Sequence, residues 1–93
     1  MKIHKNITIS GLVQGVGFRY QTRKIALMLG LTGFVLNKPD GEVYIEAEGE
    51  QSTIDKFIEW CNVGPSMSEV KSVKVENAEI ENFNSFEIRG GMF

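Results

Sequence analysis

Apolar and polar side chains alternate at the start of the chain. Ile3, Ile7 and Ile9 fall on one side and His4, Asn6, Thr8 and Ser10 on the other, with Lys5 the single polar residue on the apolar side. A period of two predicts a half-buried strand, with His4 facing solvent. The period then changes. Phe18, Thr22, Ile25, Ala26 and Leu29 stand at helical spacing over Phe18 to Leu29, and Gly30 is placed to cap that helix in a left-handed conformation. Leu31 to Asn37 reads as a second strand broken by Gly33, and Lys38-Pro39-Asp40-Gly41 as the turn of a hairpin, since Pro presets one dihedral and Gly accepts a positive one. In the next strand Val43, Ile45 and Ala47 point inward, and Glu42, Tyr44, Glu46 and Glu48 point toward water. Ser52 and Asp55 have capping-box spacing ahead of a helix whose apolar face is Ile54, Phe57, Ile58 and Cys61, ending near Gly64-Pro65. Val73 and Val75, then Phe86 and Ile88, predict a closing hairpin around the polar stretch Glu79 to Ser85.

The order is β-α-β-β-α-β with a short fifth strand at the end. It matches the α+β ferredoxin-like βαββαβ sandwich, one antiparallel sheet with two helices on one face. Ninety-three residues are enough for one core and too few for two, so residues 1–93 are expected to form a single domain, with Gly90 to Phe93 as a flexible tail. The single cysteine, Cys61, forms no internal disulfide and no Cys-rich zinc site, and beside Ile58 and Trp60 it reads as a small buried hydrophobe suited to a reducing cytoplasm. The single histidine argues against a nucleophile–His triad and against an HExxH metal site. The longest apolar run, Ile25 to Leu29, is five residues, far short of a membrane span.

The formal charge of −2 hides an uneven distribution. Residues 1–30 hold five basic side chains and no acid, whereas the remainder sets five basic residues against all 12 carboxylates. The basic part contains Gly11-Leu12-Val13-Gln14-Gly15-Val16-Gly17-Phe18-Arg19, which joins a strand to a helix N-terminus. At such a junction unpaired N–H groups and the positive end of the helix dipole converge. Gly15 and Gly17 let the backbone curl into a nest for a phosphate-sized anion, and Arg19 can add a bidentate fork to two of its oxygens. From spacing alone, a tight turn with Arg19 in solvent accounts for the segment equally well. The segment lacks the Gly-Lys-Ser/Thr ending of a Walker A loop and, with Tyr20 in the third glycine's place, the dinucleotide fingerprint.

That nine-residue segment resembles the first signature of the acylphosphatases. Gly33-Phe34-Val35-Leu36-Asn37, followed by Gly41-Glu42-Val43 and Gly49, resembles the second. The similarity runs on through Gly64-Pro65 and Phe86-Glu87-Ile88-Arg89, and so covers nearly the whole chain. The resemblance implies a ferredoxin-like fold and hydrolysis of acyl phosphates to carboxylate and inorganic phosphate, with no metal, cofactor or covalent intermediate. It places the phosphate-binding arginine at Arg19 and the phosphate cradle at Gln14, Gly15, Val16, Gly17 and Phe18. It also places at Asn37 the asparagine that orients the attacking water. Leu36 departs from the family pattern, which has a basic or polar residue there, and the Gly90-Gly91-Met92-Phe93 ending departs from one in which an aromatic follows the arginine almost directly.

The expected partners are a small-molecule acyl phosphate and inorganic phosphate, handled by a monomer without nucleic acid or membrane. RNA-recognition domains share this architecture but stack bases on strand aromatics, where this chain has Glu42-Val43-Tyr44-Ile45-Glu46-Ala47-Glu48. The alternative function is a non-catalytic phosphate- or anion-binding module of the same fold. On the remaining exposed positions, the acidic strand face reads as solubilising and Arg23 as a solvated charge.

Overall fold

The computed structural model describes residues 1–90. Its elements are β1 (Lys2–Leu12), α1 (Phe18–Met28), β2 (Thr32–Asn37), β3 (Val43–Glu50), α2 (Gln51–Val63), β4 (Glu69–Ala78) and β5 (Phe86–Arg89). The strands form one sheet in the order β4-β1-β3-β2-β5. The first four are antiparallel, and β5 joins β2 in parallel. The expected α+β ferredoxin-like architecture is present, carrying one parallel edge strand.

Alternation along the strands builds the core. Ile7 and Ile9 of β1, Val35 of β2, and Val43, Ile45 and Ala47 of β3 are all fully buried, as are Ala26 of α1 and Ile54, Phe57 and Cys61 of α2. Burial raises the Cys61 thiol above its ordinary value, so it packs as a hydrophobe. Phe57, Trp60 and Phe86 meet ring to ring beneath the sheet. Gly30 takes the left-handed conformation expected of it, with φ 73°. Gly33, at φ 144°, lies so close to β3 that a Cβ there would stand 1.8 Å from the Glu46 carbonyl oxygen, which is why glycine interrupts this strand.

Several expectations are corrected. No capping box forms at Ser52, because β3 runs directly into α2 and extended Glu50 is the N-cap, which places Ser52 inside the first turn. The closing hairpin does not form either. β4 pairs with β1 at one edge and β5 with β2 at the other, so residues 79–85 cross the sheet face that the helices leave open. This strap buries side chains expected in solvent. The carboxylate of Glu48, 1% exposed, accepts hydrogen bonds from the backbone N–H groups of Glu81, Asn82 and Phe83. His4 is also buried, with Nδ1 2.6 Å from the Glu79 carbonyl and Nε2 2.9 Å from Glu46 Oε1, and the Phe83 ring packs against both His4 and Phe34. The Tyr44 hydroxyl donates to the other Glu46 oxygen at 2.6 Å. The acidic face is therefore a hydrogen-bonded second layer, not a solubilising surface. Arg23 is not merely solvated, since its Nε donates to the Phe86 carbonyl at 2.9 Å and ties α1 to β5. The flexible tail expected over Gly90 to Phe93 falls, beyond Gly90, outside the described residues.

Candidate active site

The site forms where β1 gives way to α1. Val13, just past the end of β1, is buried in the core, and Phe18 is buried at the first position of α1. The Phe18 ring packs on Trp60 at 5.6 Å, and Gly64 comes close enough that a Cβ there would lie 2.8 Å from Phe18 Cε2. Both ends of the intervening loop are thus held by packing.

Between those anchors Gly15 and Gly17 have φ of 78° and 77°, the left-handed region that side chains disfavour. A Cβ at either would meet nothing within 4 Å among the described residues, so backbone conformation, not crowding, demands glycine there. Gly17 is the N-cap of α1 without a side-chain cap, no acidic residue occupies the first turn, and the first helical bond runs from the Gln21 N–H to the Gly17 carbonyl. The earlier N–H groups of the turn point out of the helix end, where the dipole favours an anion.

Asn37 reaches the same place from the sheet. It ends β2, pairs with Val43, and shares the helix-side face with Val35, whereas Leu36 lies on the opposite face. Asn37 is 9% exposed, and its Oδ1 is buried with no hydrogen-bond partner among the described residues. Gly15, Gly17, Phe18, Arg19 and Asn37 line a concavity of about 220 Å³, completed by Val13, Tyr20 and Ile88.

Two expected site residues lie differently. Gln14 does not line the concavity. Its side-chain Nε2 donates to the carbonyls of Lys38 at 2.8 Å and Glu42 at 2.9 Å, which ties the glycine loop to the β2–β3 turn. Val16 is partly buried and packs against the core. Tyr20 and Ile88 were not anticipated from the sequence, although Tyr20 directly follows Arg19 and Ile88 alternates with Glu87 and Arg89 on β5.

One further cluster has ligand-type atoms close together: His4, Glu46 and Glu81, all within 4.8 Å of one another. It lies on the opposite face, toward the other end of β1, and both His4 nitrogens already face oxygen partners from Glu79 and Glu46. It reads as part of the strap's anchorage. No helix among the described residues is long and apolar enough to cross a membrane.

The fold is a ferredoxin-like α+β sandwich with this cup-shaped concavity at a strand-to-helix junction. The acylphosphatase family model matches residues 5–88. An acylphosphatase of Archaeoglobus fulgidus is 55% identical over 82 residues, covering 88% of this chain and 92% of that protein. The structure of an acylphosphatase from Coxiella burnetii superposes with a TM-score of 0.92 at 39% identity, covering 95% of this chain and 93% of the other. Full-length HypF, solved in a phosphate- and nucleotide-bound form, contains a region 36% identical with a TM-score of 0.91, which covers 97% of this chain but 12% of that longer one. The chain belongs to the acylphosphatase family and is an enzyme, a hydrolase acting on acid anhydrides.

Proposed function

We propose that the protein hydrolyses acyl phosphates by direct in-line attack of water, with Arg19 and the glycine loop holding the phosphoryl group and Asn37 holding the water. The single observation that carries this reading is the Asn37 side chain, which brings a buried carbonyl oxygen with no partner among the described residues to the lip of the concavity that Arg19, Gly15 and Gly17 line. Buried polar atoms are rarely left unpartnered, and a substrate-bound water supplies the missing partner.

The chemistry asks little of the protein. An acyl phosphate already carries a good carboxylate leaving group, so positioning and charge stabilisation outweigh the need for a strong base. Water donates one hydrogen to Asn37 Oδ1 and directs a lone pair at phosphorus. As the new P–O bond forms, the bond to the acyl oxygen breaks and its electron pair leaves with the carboxylate. One water proton passes to a phosphoryl oxygen of the substrate itself, so acyl phosphate dianion plus water becomes carboxylate plus dihydrogen phosphate. Arg19 and the loop N–H groups hold the equatorial oxygens throughout, each such contact being worth roughly 10²–10³ in rate. The backbone of Gln14 to Phe18 forms the cradle, and the Gln14 side chain braces it.

The cycle needs no metal or cofactor, and we read the chain as one domain acting as a cytoplasmic monomer on a small molecule. Against nucleic acid as a partner stands the strap, which covers the sheet face where related folds stack bases. Hydrolysis of benzoyl phosphate in the presence of EDTA tests the proposal. Arg19→Ala is expected to lose both turnover and competitive inhibition by inorganic phosphate, and Asn37→Ala to lose turnover while keeping that inhibition. Near-normal hydrolysis by Asn37→Ala would remove its assigned role. Phosphate binding without EDTA-resistant turnover in the wild type would establish the alternative, a non-catalytic anion-binding module.

A further inference from the structure

We propose that Tyr20 and Ile88 form an apolar rest for the acyl group, so that the enzyme discriminates in favour of aromatic or long aliphatic acyl phosphates over acetyl or carbamoyl phosphate. This inference rests on the acyl phosphate reading above and extends it to the half of the substrate that the cup does not hold. The cup's polar groups are taken up by the phosphoryl group, so the acyl moiety must lie across the mouth. Two large side chains stand there. Tyr20 is 65% exposed and Ile88 40% exposed, and both line the concavity.

They arrive from different elements. Tyr20 sits in the first turn of α1, one residue beyond Arg19. Ile88 pairs with Val35 in the β2–β5 ladder and so lies on the face that carries Asn37, one step further along β2. Isolated surface hydrophobics are common and need no explanation. These two differ in bordering one cup whose lining, among the described residues, contains no carboxylate. An acyl group that buries carbon against them gains hydrophobic free energy in proportion to its apolar area, and acetyl or carbamoyl offers little to bury. Because the rest touches the leaving group and not the phosphoryl oxygens, it sets preference among acyl phosphates without altering phosphate affinity.

The test compares kcat/KM for benzoyl phosphate and acetyl phosphate in the wild type, Tyr20→Ser and Ile88→Thr, with inorganic phosphate inhibition measured on each. The wild type is expected to favour benzoyl phosphate. Each variant is expected to lose about tenfold in the benzoyl-to-acetyl ratio, near the low end of what a methylene-sized change in a pocket commands. Inhibition by phosphate should stay unchanged, and Tyr20→Phe should keep the wild-type ratio. Ile88→Thr keeps a β-branched side chain on the edge strand, so folding is preserved. A ratio near one in the wild type, an unchanged ratio in both variants, or equal losses on both substrates overturns the proposal. A wild type that hydrolyses neither substrate sinks the acyl phosphate reading instead, which separates the two failures.

Discussion

Gln14 donates a hydrogen bond at 2.8 Å to the carbonyl of Lys38, the residue next to Asn37, and the same nitrogen reaches the Glu42 carbonyl across the turn at 2.9 Å. The glycine loop and the Asn37 strand end are thereby fixed to one another, although 22 positions separate Gln14 from Asn37 in the chain. Asn37 and the glycine loop belong to different elements, and this amide holds them in register. Gln14→Leu keeps the volume and deletes the donor. It is expected to lower kcat on benzoyl phosphate by about 10- to 100-fold, the scale of an ångström-level misplacement, while phosphate inhibition changes much less. Steady-state kinetics with phosphate as inhibitor reads both quantities.

Gly17 and Gly33 separate two reasons for glycine. A Cβ at Gly17 meets nothing within 4 Å among the described residues but must accept φ 77°, so Gly17→Ala should fold, lose about 1–2 kcal/mol, and bind phosphate poorly as the loop relaxes. Gly33→Ala drives its methyl into the Glu46 carbonyl oxygen, 1.8 Å away, and should abolish cooperative unfolding. Urea titrations of the two variants distinguish the cases.

Glu48 should shape acid stability. Burial alone would raise its carboxyl, but the backbone N–H groups of Glu81, Phe83 and Asn82, together with His4, outweigh burial and hold it below its ordinary value of 4.5. A carboxylate with a depressed folded-state pKa stabilises the protein above the unfolded-state value, and that stabilisation is lost as pH falls from there through the folded-state value. Urea midpoints are therefore expected to drop as pH falls below about 4.5, and Glu48→Gln should flatten that slope and cost about 2 kcal/mol at neutral pH. An unchanged slope in the variant would place the acid sensitivity elsewhere.

His4 lies on the face away from the cup, and its interactions anchor the strap. His4→Ala should leave kcat and KM on benzoyl phosphate unchanged at a temperature where the variant is folded. It should lower stability by about 3 kcal/mol, the scale of a disrupted buried polar pair. Thermal unfolding followed alongside the assay resolves the two effects.

Periodicity carried most of the fold. The alternation of Ile7 and Ile9 and of Val43, Ile45 and Ala47, and the helical spacing of Phe18, Thr22 and Ala26, name the side chains that the structure buries. The loop was legible for a related reason, because left-handed glycines beside a helix start and an arginine are local chemistry written in consecutive residues. The charge asymmetry was less direct. Of the five basic residues in the first thirty, Lys2 contacts Glu48 and Asn82 and Lys5 contacts Asn77, both of them interactions of the sheet and strap, not of the cup.

What alternation could not disclose is what lies on top of a face. A period of two assigns His4, Glu46 and Glu48 to the side away from the helices, but the strap that buries them comes from residues 79–85, remote in the chain. Its path depends on β4 and β5 joining opposite edges of the sheet, and edge choice is set by the packing of whole elements. The Gln14 brace and the place of Ile88 beside the cup depend on the same long-range pairings. The sequence by itself determined the strands, the helices and the glycine–arginine loop, because each is encoded by neighbours a few residues apart. Only the tertiary structure decided how Asn37, Tyr20 and Ile88 meet that loop, because contacts between distant segments form only when the single core closes.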